Sequence, residues 1–241
     1  MRAKIKTGWI LLCFLSALSA NAQLTKGKIV YERKTNLYKK FKDDNVKDWI
    51  KEGDKIKTDY FELYFNDSLS AFKPQESDLK EYYGWATSKN SVYQDFKKKT
   101  RFTIKKIWGE EVLLNDTLYT RQWKITDSKR NISGYNCRKA IWQADDSTRI
   151  YAWYSDELMA STGPESFFGL PGAILGLASE DGGIIYFAKS VEAISNDLSA
   201  LLPKKTKSKI YTSAELRTKL EKEYGKEKWG KMMIKNTFGY W

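Results

Sequence analysis

The sequence predicts a mainly β fold of the α+β type, a curved antiparallel sheet or half-open barrel with a helix near the C-terminus. Three observations carry this expectation. Short segments alternate apolar and polar residues with period two, turn-forming clusters separate them, and one helix-period segment with its own capping signal occurs late in the chain. Long helical patterns between the strands are missing, which argues against a doubly wound parallel sheet.

Ile29 and Tyr31 share one face of the first strand, with Lys28, Val30 and Glu32 on the other. In the next, Phe61, Leu63 and Phe65 lie opposite Tyr60, Glu62 and Tyr64. Further strands are expected at 92–96, 102–106, 118–125, 136–143, 149–154, 173–178 and 184–189, each rich in β-branched or aromatic residues. Asn66-Asp67, Asn115-Asp116, Asp145-Asp146 and Asp181-Gly182-Gly183 are expected as turns between them. Period two with unlike faces implies antiparallel pairing, one face packed and one wet. Thr212-Ser213-Ala214-Glu215 forms a capping box, and Leu216, Leu220 and Tyr224 follow at helical spacing. The tail, Thr237 to Trp241, is apolar enough to pack as a last strand or plug. Aromatic residues make up 15% of the chain, enough to fill a sheet-based core and, as an alternative, to line a ligand cleft.

The N-terminus has the three parts of a secretory signal. Arg2, Lys4 and Lys6 precede the apolar run Trp9 to Leu15, and Ala20-Asn21-Ala22 offers a cleavage site before Gln23. Residues 1–22 are therefore expected as a signal peptide and 23–241 as a single β-rich domain. Removing three cations and no acids lowers the formal charge from +12 to +9. No later segment is long and apolar enough to span a bilayer as a helix. The chain has no histidine, and Cys137 is the only cysteine beyond the signal. That removes Ser-His-Asp and Cys-His catalysis, internal disulfides and structural zinc. No metal or other cofactor is implied.

Between Ala152 and Leu177 the chain reads AWYSDELMASTGPESFFGLPGAILGL, and upstream, Ile132 to Ala140, it reads ISGYNCRKA. Together these resemble the GLPGLI family, exported proteins of Gram-negative bacteria with no assigned activity. Gly169-Leu170-Pro171-Gly172-Ala173-Ile174 stands for the signature, with Ala173 in place of its second leucine. The resemblance implies a periplasmic or outer-membrane-associated protein. Gly163-Pro164 and Pro171-Gly172 are turn-forming pairs, and Phe167, Phe168 and Leu170 lie between them. The segment is expected either as a rigid packed turn or as a preformed recognition loop of Gly163, Pro164, Phe167, Phe168, Gly169, Leu170, Pro171 and Gly172.

Asp156, Glu157 and Glu165 flank this signature and are the candidate acids for carboxylate-dependent hydrolysis, which needs two groups about 5–10 Å apart. Basic runs at 97–101 and 204–209 favour anionic partners, either a lipid or another anionic envelope component, and an outer-membrane protein is a further candidate. No nucleic-acid motif occurs. The expected function is an exported, non-enzymatic binding or accessory protein of the Gram-negative envelope, with an apolar or peptide ligand or an outer-membrane partner. A carboxylate-dependent hydrolase and a structural envelope component stay open as alternatives.

Overall fold

In β1 (Gly27–Asn36) every second residue is buried, starting from Gly27, so Ile29 and Tyr31 face the core as their alternation requires. β2 (Ile56–Phe65) does the same with Phe61, Leu63 and Phe65, and pairs with β1 so that Tyr31 stands opposite Phe61. The computed structural model describes residues 24–41, 44–76, 82–195, 197–203 and 207–241. The expected signal peptide, its cleavage junction and residues 204–206 of the second basic run lie outside these.

The chain continues through β3 (Leu69–Pro74), β4 (Ser91–Asp95), β5 (Thr100–Ile107) and β6 (Glu110–Thr117), each pairing antiparallel with the strand before it. A second antiparallel run follows: β7 (Lys124–Ile132), β8 (Tyr135–Asp145), β9 (Thr148–Ser155), β10 (Ala173–Ser179) and β11 (Ile184–Ala193). Pairing of β1 with β11 joins the two runs, and the two-residue β12 (Ile210–Tyr211) lies parallel to β6. Among the described residues the result is one open sheet of 12 strands, with β12 and β7 at its edges. Two tight hairpins place Trp108-Gly109 and Ser133-Gly134 at positive φ, as two-residue loops with right-handed strand twist require.

The sheet curls. Phe72 on β3 and Tyr186 on β11 are three strand spacings apart, about 14 Å in a flat sheet, yet their ring centroids are 6.3 Å apart. Inside the curve lies the segment 156–172 between β9 and β10. Leu158, Ala160, Phe167 and Leu170 are buried there with the inward residues of both runs. Two backbone bonds tie the segment to the start of β10, Ala173 N–H to Leu158 O and Ile174 N–H to Thr162 O. The Tyr31 hydroxyl donates to Ile174 O at 2.5 Å and ties its exit to β1.

The capping box is present: Thr212 and Glu215 exchange bonds at the start of α3 (Ser213–Tyr224), after the short α1 (Leu37–Lys40) and α2 (Asp44–Lys47). A fourth helix, α4 (Lys228–Thr237), packs back so closely that a Cβ at Gly230 would stand 2.0 Å from Tyr224 O. Leu216, Leu220 and Ile234 bury this helical cap against Leu114 of β6. The tail is a plug rather than a strand. Trp241 stacks between Phe167 and Tyr186 at 5.5 and 6.0 Å, and Tyr240 donates to Asp145 at 3.1 Å. No helix among the described residues is long and apolar enough to cross a membrane.

Two expectations need correction. Residues 118–123 are not a strand, because two of their side chains bond to the inner segment: Arg121 donates to Ser166 O at 2.8 Å and Trp123 to Phe168 O at 3.0 Å. Asn115-Asp116 is not a turn but part of β6. Asp116 faces Arg101 on β5 and receives bonds from Ser213 at the start of α3.

Candidate functional site

Toward one end of β1 and β2 the inward phase turns from apolar to charged. After Ile29 and Tyr31 come Arg33 and Thr35, and before Phe61 come Asp59 and Lys57. Register sets Arg33 opposite Asp59 and Thr35 opposite Lys57. Arg33 is 2% and Asp59 3% exposed, so each needs a partner to offset the loss of water. Arg33 reaches Asp59 at 2.6 Å, and Lys57 pairs with the same carboxylate. Thr87 donates to it at 3.1 Å, and Lys89 stands 3.6 Å away. Burial pushes the Asp59 carboxyl up, but the Arg33 charge and the bonds from Lys57 and Arg33 outweigh it and hold it at about 2.

The network continues into the inner segment. Arg33 Nη1 donates to Ser88 O at 2.8 Å and approaches the Tyr186 hydroxyl at 3.4 Å. Tyr186 in turn donates to Glu165 at 2.8 Å, and Asn90 contacts the other Glu165 oxygen at 3.4 Å. Burial and the Glu165 charge push the Tyr186 hydroxyl well above its ordinary range. Glu165 is 3% exposed and has φ of 54°, a left-handed conformation unusual for this residue type. Its carboxylate is thus delivered to the centre of the fold by a strained turn.

Above this network opens a cleft of about 1180 Å³ between the sheet end and the helical cap. Arg33, Thr35, Thr87 and Ser88 contribute to its floor. The ends of β9, β10 and β11 supply Arg149, Glu180, Asp181 and Ile184, and the cap and tail supply the rest. On α4 and its C-cap, Lys231, Ile234, Lys235 and Phe238 all line it, at the i, i+3, i+4, i+7 spacing of a single helix face. Eight basic side chains line the cleft against four acidic ones. Crowding by protein atoms, with the charges of Arg33 and Lys57, pulls the Lys40 ammonium down to about 8 although the residue stays solvent-exposed.

The signature residues are mostly interior. Gly163, Pro164, Phe167, Leu170 and Gly172 are buried and Phe168 is half-buried, while Gly169 and Pro171 reach the surface. Phe168 meets Phe96 at the end of β4, and Phe167 meets Trp142 on β8, so the segment bridges the two antiparallel runs. Gly172 permits this course: at φ +143° a Cβ would lie 2.0 Å from Ser155 O. Glu165 is central, whereas Asp156 and Glu157 are exposed, with Glu157 accepting from the Asn136 amide at 3.1 Å. No group of three or more Cys, Asp or Glu among the described residues is placed to hold a metal ion. Sequence reasoning missed Arg33, Asp59, Tyr186 and the α4 lysines. The available signal was that Arg33 and Asp59 continue the inward phase of their strands.

A family model described as a protein of unknown function (Porph_ging) matches residues 142–176. That span runs from the end of β8 through β9 and the inner segment into β10. No curated protein matches the chain. Two structures of PNGF-II, in space groups P21 and C2, align with a TM-score of 0.53 and 18% identity, over 77% and 87% of this chain. The chain spans 31% and 32% of their length, and the likeness is one of fold. An uncharacterized conserved protein from Thermus thermophilus aligns with a TM-score of 0.40 at 6% identity, over 79% of this chain and 91% of that one.

Proposed function

We propose that the protein is a non-catalytic binding protein of the cell envelope that holds a small ligand in the cleft under the helical cap. The observation that carries this is the cleft itself, whose volume of about 1180 Å³ combines a helix face of alternating lysine and apolar side chains with a polar floor. The carboxylates support binding over hydrolysis. Glu165 is engaged by Tyr186 and Asn90, and Asp59 by Arg33, Lys57 and Thr87, while Asp156 and Glu157 are on the surface. The envelope address rests on the signal features of residues 1–22, and the finer assignment to the GLPGLI family rests on the segments 132–140 and 152–177.

The test is native mass spectrometry of the protein purified without detergent from the envelope of its own cells. A chain beginning at Gln23 with a stoichiometric small molecule, lost in an Ile184→Trp variant that fills the cleft, is the expected result. A bare chain in both forms overturns the binding reading, and retention of residues 1–22 overturns the address.

A further inference from the structure

The cations of the cleft are unequally matched. Arg149 pairs with Glu180, Arg217 lies 3.8 Å from Glu221, and Arg33 pairs with Asp59. The Lys39 ammonium donates to Asp181 O. The other two acids of the lining are also engaged: Asp145 accepts from Tyr240 and Ser147, and Asp181 from Ser179 and the Gly183 amide. Lys40, Lys226, Lys231 and Lys235 form no ion pair among the described residues, yet all four line the cleft. Like charges held together without counter-charge destabilise the fold that carries them, and an anion entering the cleft would relieve that repulsion.

The same cleft has an apolar wall. Ile234 and Phe238 alternate with the exposed Lys231 and Lys235 along one face of the last helix, Ile234 largely buried and Phe238 half-buried, and Ile184 and Trp241 lie on the sheet side. A bare inorganic anion would leave this wall wet, and the volume is far larger than such an ion fills. Deepening the binding reading, on which it rests, we infer that the cleft takes an anionic amphiphile. Its phosphate or carboxylate is held by Lys40, Lys231 and Lys235, and its apolar chain lies against Ile184, Ile234, Phe238 and Trp241.

Three probes separate the parts, each used below its micelle-forming concentration: dodecyl phosphate, inorganic phosphate and dodecyl maltoside. Binding is followed by calorimetry and by the fluorescence of the tryptophans. Dodecyl phosphate is expected to bind at least about tenfold more tightly than either of the others. Charge-assisted bonds from two lysines supply that factor on one side, and burial of a few methylenes supplies it on the other. Lys231→Gln/Lys235→Gln should cut dodecyl phosphate affinity about tenfold and leave dodecyl maltoside unchanged. Lys40→Gln, outside the cap, should weaken dodecyl phosphate in the same direction. Equal binding of dodecyl maltoside overturns the anionic inference while the cleft reading stands. Equal binding of inorganic phosphate overturns the amphiphile in favour of a plain anion site. No binding of any probe, together with a bare chain in the mass spectrum, overturns both.

Discussion

Arg33 Nη2 lies 2.6 Å from Asp59 Oδ2, across a single rung of the β1–β2 ladder and shielded from solvent on both sides. A pair in that position contributes little net stability when intact and costs much when halved, because the survivor keeps its charge without compensation. Asp59→Ala is expected to destabilise the protein by about 3–5 kcal/mol in urea unfolding at pH 7, since it leaves the buried Arg33 guanidinium without its counter-charge. The double replacement Arg33→Met/Asp59→Leu should recover much of that loss.

The same carboxylate predicts a pH dependence. Its folded-state pKa of about 2 lies below the ordinary 3.8, so its contribution is full above pH 3.8 and is lost as the pH falls toward 2. Asp59→Asn should therefore be less stable than wild type at pH 6 by roughly 2 kcal/mol, with the gap closing below pH 3. A gap that stays constant across this range would contradict the assignment of charge to Asp59.

Lys40 works in the opposite direction. Its pKa is lowered to about 8 from 10.5, so between these values the unfolded chain binds a proton that the folded chain lacks, and stability from this group rises with pH. Lys40→Met should raise the urea midpoint at pH 7 and leave it nearly unchanged at pH 11. A lower midpoint at pH 7 would show that Lys40 has a counter-charge.

Gly172→Ala meets two obstacles at once, a φ of +143° and a carbonyl oxygen 2.0 Å from the new methyl. We expect a loss of at least about 3 kcal/mol, with the inner segment displaced from β9. Near-UV circular dichroism should register the loss of fixed aromatic packing around Phe167 and Trp241. Unchanged spectra and stability would mean that the segment does not pass this close to Ser155.

Cys137 is buried in the main core, and burial, with the charge of Glu157, pushes its thiol up to about 12. Native protein at pH 8 should resist iodoacetamide for hours and react at once in denaturant. Rapid labelling of the folded chain would refute its placement.

The parts of the fold legible in the sequence are those where one physical pattern acts alone. Period-two burial places Ile29, Tyr31, Phe61, Leu63 and Phe65, and a capping box starts α3 where Thr212 and Glu215 say it should. The misreadings come from residues whose side chains serve distant partners. Arg121 and Trp123 look like strand residues but anchor the inner segment, and Asp116 looks like a turn but holds a helix start. β3 has Ser70 and Ala71 buried beside Phe72, too little apolar contrast to announce a strand. The cleft was least visible of all. Its walls come from positions 33 to 241, and only folding brings them together. Arg33 and Asp59 carried a trace of it, as charges in phase with a buried face.

The order of the strands has a consequence for how the chain is made. Each antiparallel run is local and can assemble hairpin by hairpin, but the seam between them joins β1 to β11, with partners such as Glu32 and Phe187 about 150 positions apart. Until that late strand arrives, one side of the first strand is an open edge whose inward residues include Ile29 and Tyr31. A chain that emerges N-terminus first presents this margin early and seals it only when β11 follows. Pairing across so long a stretch of chain is expected to slow folding relative to the local hairpins, and refolding kinetics would show it.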